Sequence, residues 1–336
     1  MAAAEPTRRA ASGTAAPLVA TLCGDFTVRA GQSVLVSRQM GGAKPRHLLI
    51  ALLRSPGQPV DKHRLVELLW GVCPPPGAVA TLESYVSFLR RKLDGLEAGE
   101  GTLIKTVPGG YVVDPDRVAV DTHQFGRLAR EARDPAVSPT RAVAAFAAAL
   151  SVVEGAFLPE ENGIGWIDEE RQAHQQRVTR VLVDAAAAAL LAGDLDLSER
   201  WARSGLERDP FDEGAWRALL ESMERRGRHA DALRAYDTCR RLFADELGCV
   251  PGPGLQHTFA RLLAGTQHGR DEGLDHLLQA VVRLHLEVVA APSGGSRDAA
   301  GWQPPAPAAL EEACSLLDRL LVRVRSDARS GVSALA

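Results

Sequence analysis

The run TLESYVSFLRRKL, from Thr81 to Leu93, is followed after a polar glycine-rich loop by TLIKTVPGGYVV, and together they leave the chain few ways to fold. At about 100° per residue, Leu82, Tyr85, Val86, Leu89 and Leu93 share one side of a helix. Ser84, Ser87 and Arg91 fall opposite, flanked by Glu83, Phe88 and Arg90. Such a stripe has to be seated on other apolar elements. The second run is two β-rich segments around Pro108-Gly109-Gly110. Proline presets one turn dihedral and the glycines tolerate positive φ, so the segment reads as a hairpin. A lone two-stranded ribbon is marginal in water, so it too needs support.

The residues ahead of this pair supply the seat. Residues 18–42 alternate apolar and polar side chains, broken at Gly24-Asp25 and Ala30-Gly31, which predicts short antiparallel strands joined by turns. PRHLLIALLRSPG then bunches leucines on one helical face and stops at Pro56-Gly57. A second helix follows Asp61, a good N-cap, with Leu65, Leu68 and Leu69 at i, i+3, i+4. VCPPPGAV reads as a loop throughout, since three prolines remove donors and fix φ.

From about Asp121 the chain is helical almost throughout. Gly193 and Gly227 lie 34 residues apart, each between two amphipathic helices and each followed five residues later by a small residue, Ser198 or Ala232. Thirty-four residues is the tetratricopeptide period, in which helix pairs stack because one pair alone cannot bury its face. Beyond residue 266, DEGLDHLLQAVVRLHLEVVA and LEEACSLLDRLLVRVRS predict two amphipathic helices joined by a Gly/Ser/Pro linker over about 291–309. Docking or oligomerisation is the expected role of that pair. Residues 1–17 have arginines but no apolar core of a signal peptide and read as a disordered tail.

Composition excludes several classes. No run of about 18 apolar residues is present, so no membrane span is expected. Five cysteines, Cys23, Cys73, Cys239, Cys249 and Cys314, are scattered with no C-x-x-C pair, against both a disulfide framework and a zinc site. They read as buried thiols in a reducing cytoplasm. No P-loop, H-E-x-x-H or G-x-S-x-G occurs, so no enzyme chemistry, metal or cofactor is expected. The nine histidines are dispersed; His47 and His63 fall on or near the first two helices, and the others read as solvated helix positions. The acidic runs at 168–170 and 243–247 read as solvated faces. Charge is uneven: 14 Lys+Arg against 11 Asp+Glu through residue 122, and 25 against 31 beyond it, giving +3 and −6. That is the sign expected if only the front meets phosphate.

Strands, three helices with cations on the third, then a hairpin is the order of a winged helix. The predicted fold is thus an α+β winged helix followed by an all-α tetratricopeptide-like repeat domain. A helix is narrow enough for the major groove, and the hairpin reaches neighbouring backbone. Arg91 is placed to fork onto guanine O6 and N7. Thr81, near the helix start, would join free amides there in holding a phosphate. Lys105 and Thr106 would do the same from the wing. Phe88 meets a thymine methyl or packs under the wing. An alternative stands beside this: Arg90-Arg91-Lys92 at a helix C-terminus also complements the helix dipole, for about 0.3–1 kcal/mol. A scaffold or ligand sensor, with a winged helix that binds protein, is the alternative function.

These residues resemble the SARP-type antibiotic regulatory activators of actinobacteria, which join an OmpR-like winged helix to a bacterial transcriptional activation domain. The resemblance is carried by PRHLLIALLRSPGQPVDKHRLVELLWG, TLESYVSFLRRKL and KTVPGGYVVDPDRVAVDTHQF. In the helical part it is carried by ALSVVEGAFL, Trp166 and Arg171, LLAGD, LERDPFDEGAW and RRGRHADALRAYDTCRRLFADELGCVPGPGLQ. It implies domains at 18–120 and 121–265, with 266–336 an extension that short members lack. It implies a third helix reading DNA through Thr81, Ser84, Ser87, Phe88, Arg90, Arg91 and Lys92, and a wing with Lys105 and Thr106, Tyr111 being a packing residue. At Phe88 the family often has a polar or basic side chain, which bears on base preference. The resemblance further implies double-stranded promoter DNA with direct repeats, paired protomers on it, and RNA polymerase holoenzyme as partner. Val72, Pro74, Pro75 and Pro76 form the expected polymerase-contact loop.

Overall fold

The computed structural model describes residues 17–96 and 102–265, so the tail before residue 17 and the helix pair expected after 266 lie outside the described residues. Two compact units divide at Ala185/Ala186.

The first unit opens with β1 (Leu18–Thr21), β2 (Thr27–Ala30) and β3 (Ser33–Val36), an antiparallel meander turning at the two glycine sites. Helix α1 (Ala43–Leu53) follows, then β4 (Val60–Asp61), α2 (Lys62–Trp70) and α3 (Ala78–Asp94). Strands β5 (Ile104–Val107) and β6 (Gly110–Val113) form the predicted hairpin, and β7 (Val118–Val120) returns. Two sheets result, ordered β3-β2-β1-β7 and β4-β6-β5, with β7 parallel to β1. Helix α1 is buried at every position from His47 to Leu53, as befits a helix apolar all round. It packs on α2, α3 and β6 and is the pedestal of the unit. The Asp61 carboxylate caps α2, accepting from the His63 amide at 2.7 Å.

Helices α4 (Asp121–Ala132) and α5 (Pro139–Val152) and the first part of α6 (Gly165–Ala192) belong to the same unit. Asp121 explains why α4 starts where it does. Its Oδ2 accepts from the Leu22 and Cys23 amides at 2.7 and 2.8 Å, and its Oδ1 accepts from the Thr122 amide at 2.7 Å. Burial raises the Asp121 carboxyl, and the three amides oppose that. The edge of β1 continues onto the loop after α5: the Gly24 amide donates to Ala156 at 2.8 Å and the Leu158 amide to Leu22 at 2.8 Å. Arg171 holds that loop, donating to the carbonyls of Phe157, Leu158 and Glu161 at 3.0, 2.9 and 2.6 Å. Leu158, inside the loop, sits at φ 45°, a conformation that a side chain makes costly and that this clamp sustains.

Three polar side chains are not where the sequence put them. His174 is 3% exposed rather than solvated, flanked by Phe125 and Phe157 with its Nε2 3.4 Å from the Cys23 sulfur. Burial depresses its imidazole from 6.5 to about 4, and it pushes the Cys23 thiol up. Asp168 and Glu170 are ion-paired, with Arg171 and with Arg177, rather than merely solvated. Of the described cysteines, Cys23 and Cys239 are buried as expected, whereas Cys73 and Cys249 lie on exposed loops.

The second unit carries the repeat, from Ala186 at the end of α6 through α7 (Leu195–Leu206), α8 (Glu213–Arg225), α9 (His229–Leu242), a π-type turn at Phe243–Leu247, and α10 (Pro253–Gly265). The 34-residue spacing is visible bond by bond. Gly193 and Gly227 have φ 83° and 72°. The Gly193 amide bonds Leu190 and the Asp194 amide bonds Ala189; 34 residues on, Gly227 bonds Glu224 and Arg228 bonds Met223. Both are Schellman ends, with glycine at the left-handed position. Ser198 and Ala232 are both fully buried, small enough for the next helix to close on them. Trp216, Leu219, Leu220, Met223, Tyr236, Leu255 and Leu262 make the core, with Tyr236 stacked on Phe259 at 4.2 Å.

Candidate nucleic-acid interface

Helix α3 is seated as its pattern predicts: Leu82, Val86, Leu89 and Leu93 are at most 1% exposed, and Tyr85 stacks on Trp70 at 6.2 Å. It begins at Ala78, however, so Ala78 and Val79 are not loop. The proline block ends at Pro76, and Gly77, in the left-handed region, turns the chain directly into the helix. Thr81 therefore lies in the fourth helical position rather than at the start. Its amide donates to Gly77 at 3.0 Å, so it offers no free amide there. The amides of the first turn belong to residues before it.

The outward row presents less hydrogen-bond donation than its residue types suggest. The hydroxyls of Thr81, Ser84 and Ser87 donate to the carbonyls four residues back, at 3.2, 3.0 and 2.9 Å. Each keeps acceptor lone pairs facing out, and these suit a donor such as a base amino group. Arg91 is exposed, and its side chain makes no hydrogen bond or ion pair among the described residues. Lys92 stands 5.8 Å over the Phe88 ring. Phe88 has a neighbour that the sequence did not suggest. Its ring lies against the backbone of Gly41, where a Cβ would come within 2.5 Å of Cε1, and Gly41 has φ 79°.

Arg90 behaves unlike its neighbour. Its Nε donates to the Ile104 carbonyl at 2.9 Å and its Nη2 to the Thr106 hydroxyl at 2.7 Å. Its guanidinium also lies 5.9 Å from the Tyr111 ring. Arg90 thus ties the wing to α3, and Thr106 is the acceptor of that tie. Tyr111, 4% exposed, is the packing residue expected. Lys105 is exposed but pairs with Asp114 at 2.5 Å, which holds the Asp114 carboxyl below the usual carboxylate range. The wing is anchored at its other edge as well. β6 pairs with β4, Gly110 opposite Asp61, and the Lys62 amide donates to Gly109 at 2.9 Å. Any side chain at Gly110 would collide with the Val60 carbonyl.

Sequence reasoning passed over Lys62 and Glu83. They pair at 2.6 Å across α2 and α3, with the Lys62 ammonium 5.6 Å from the Tyr111 ring. It also missed Glu161, whose carboxylate meets His47 Nε2 at 2.7 Å and pairs with Arg46. Burial acts to raise the Glu161 carboxyl, but the bonds from Arg46 and His47 outweigh it and leave it lowered. No local pattern marks either partner, since both pairings cross elements.

The loop from Gly71 to Gly77 is exposed throughout, and Val72 at its tip is 95% exposed. Val72, Pro74, Pro75 and Pro76 so form an exposed, proline-stiffened segment leading into α3. No group of three metal-ligating side chains occurs among the described residues, and no described helix is long and apolar enough to cross a membrane.

Residues 41–113 match the family described as transcriptional regulatory protein, C terminal, and residues 120–263 match the bacterial transcriptional activator domain. The chain is 28% identical over 249 residues to transcriptional regulator RedD of Streptomyces coelicolor, covering 72% of this chain and 71% of RedD. It is 28% identical over 250 residues to regulatory protein DnrI of Streptomyces peucetius, covering 69% of this chain and 86% of DnrI. A solved structure of EmbR from Mycobacterium tuberculosis shares the fold at a TM-score of 0.65, with 24% identity, covering 81% of this chain and 70% of that one.

Proposed function

The chain belongs to the SARP-type transcriptional regulators, an OmpR-like winged helix ahead of a bacterial transcriptional activator domain, and from that premise we propose that it activates a secondary-metabolite gene cluster by binding direct repeats in promoter DNA. It is a regulator, not an enzyme. The observation that carries the reading is Arg91: an exposed guanidinium, without a partner among the described residues, on the outward row of α3, beside a wing tied to the same helix. Residues 18–120 are the DNA-binding part and 121–265 the activation part.

In this reading α3 enters the major groove. Arg91 forks onto a guanine, and the hydroxyls of Ser84 and Ser87 accept from base amino groups. Lys92, Lys105 and Thr81 lie against phosphate. Phe88 supports the helix against the Gly41 turn and offers its edge to a thymine methyl. Arg90 and Thr106 set the wing rather than read bases. Two protomers on half-sites about 10–11 bp apart occupy one face of the duplex. The rigid Val72–Pro76 segment then meets RNA polymerase holoenzyme, whose promoter complex is stabilised by the added contact.

Fluorescence anisotropy with duplexes from upstream of the protein's own locus tests this. Arg91→Ala should cost about 1–3 kcal/mol on the bound sequence and little on random duplex. Equal losses on both would remove Arg91 from base reading. No binding by the wild type at low salt would favour the scaffold alternative.

A further inference from the structure

The first unit holds a cavity whose rim is rich in arginine. It has a volume of about 200 Å³ and lies among the end of α1, one face of α4 and the first half of α6. Three guanidinium groups border it, Arg54, Arg130 and Arg177, against one carboxylate, Glu170. Glu170 is shared: it accepts from Arg177 Nη2 at 2.8 Å and lies 3.5 Å from Arg54 Nη1. Arg130 is exposed and has no side-chain partner among the described residues. The rim so carries an excess of two positive charges. The larger groove of about 520 Å³ among α7, α8 and α9 differs, because its rim arginines are matched by acids: Arg203 and Arg228 by Glu199, and Arg228 and Arg234 by Asp231.

We propose that this 200 Å³ cavity is a binding site for a small phosphate monoester. The excess of two charges equals the charge of a doubly ionised phosphoryl group. Guanidinium forks present paired donors to its oxygens; a carboxylate also accepts such a fork but brings only one of the two negative charges. Leu22 and Phe157 supply apolar wall for the organic part of the ester. Gly126 adds an independent sign. It sits inside α4, where glycine weakens a helix, yet a Cβ there would meet nothing within 4 Å. Packing does not require glycine at that position, and the space it leaves belongs to the cavity. The site also touches the winged helix. His123 Nε2 donates to the Arg54 carbonyl at 2.8 Å, so a ligand bridging Arg54, Arg130 and Arg177 fastens the end of α1 to α4 and α6. Binding itself does not depend on the DNA reading.

Isothermal titration of the full chain at low ionic strength tests it, with phenyl phosphate, inorganic phosphate and benzoate as probes. Phenyl phosphate should bind saturably with one site, more tightly than inorganic phosphate and about tenfold or more tighter than benzoate. Arg130→Ala, which removes no side-chain hydrogen bond or ion pair within the described residues, should weaken phenyl phosphate about tenfold. Glu170→Gln should tighten it. Glu67→Gln, which removes the same charge from an exposed pair with Arg64 outside the cavity, should not. Gly126→Ala should raise Tm while lowering affinity. The proposal is overturned if the wild type shows no saturable heat with phenyl phosphate, if Arg130→Ala binds as well as wild type, or if Glu67→Gln tightens binding as much as Glu170→Gln.

Discussion

Arg90→Ala separates the wing clamp from DNA contact. The wild-type side chain makes two bonds with a charged donor, to Ile104 at 2.9 Å and Thr106 at 2.7 Å, and adds a ring contact with Tyr111. Such bonds are worth about 1.5–3 kcal/mol when dry, and Arg90 is half-exposed, so roughly 1 kcal/mol each is appropriate, with a few tenths from the ring. The total, about 2 kcal/mol, makes detachment of the wing from α3 roughly 30-fold easier. Amide exchange at Lys105, Thr106 and Tyr111 should accelerate accordingly, and Thr106→Val should give about half the effect. DNA affinity should fall for every duplex, by no more than that 30-fold. The slope of log affinity against log salt should stay where it was, because it counts neutralised phosphates at about 0.9 each. A slope reduced by about 0.9 with wing exchange unchanged would show Arg90 on phosphate and refute the clamp.

Other outcomes follow from the same geometry. Gly110→Ala forces β6 away from the Val60 carbonyl and should cost about 2 kcal/mol, a Tm loss of roughly 4–8 °C; an unchanged melt would mean β4 and β6 are not held that closely. Acid should destabilise the fold through His174, which is buried neutral. Its folded pKa of about 4 lies below the ordinary 6.5, so its contribution is complete above 6.5 and is lost as pH falls toward 4. The loss is about 3 kcal/mol in all, and His174→Phe should flatten that part of a denaturation series. A chain ending at residue 120 lacks Asp121 and Glu161 and leaves the Leu22 and Cys23 amides, Arg46 and His47 without partners. It should unfold at clearly lower denaturant than a chain ending at 185, and equal midpoints would show those contacts to be idle.

Legibility in the sequence tracked the range of the interaction. Asp61 could be read as a cap because its partner is two residues away. Gly193 and Gly227 could be read as repeat ends because a left-handed terminus is a local demand, repeated at one spacing. The stripe of α3 could be read because burial follows helical angle. The tie made by Arg90 could not be read: it stands about 100° from Arg91 on the wheel, flanking the outward row, and only the hairpin 14 to 16 residues on gives it its partners. Phe88 was ambiguous for the same reason, since what it covers is a glycine turn far upstream. The prolines misled at Ala78, because a proline bars the helix at its own position and not at the residues after it.

The polar support under α1 answers a problem that an apolar helix creates. Buried from His47 to Leu53, α1 has little in its side chains to prefer one rotation or slide over another, since leucine packs comparably in several registers. α3 rests on α1, so any play in α1 is passed to Arg91. Glu161 removes that freedom by meeting two successive residues, Arg46 and His47, a pairing available in one register only. Its own loop is fixed in turn by three carbonyl bonds from Arg171. Replacing the whole cluster by well-packed apolar residues need not lose stability, whereas removing Glu161 alone would strand buried donors at about 3–5 kcal/mol. By this reasoning the cluster serves alignment more than cohesion, and it joins α1 to a loop within the residues that match the bacterial transcriptional activator domain.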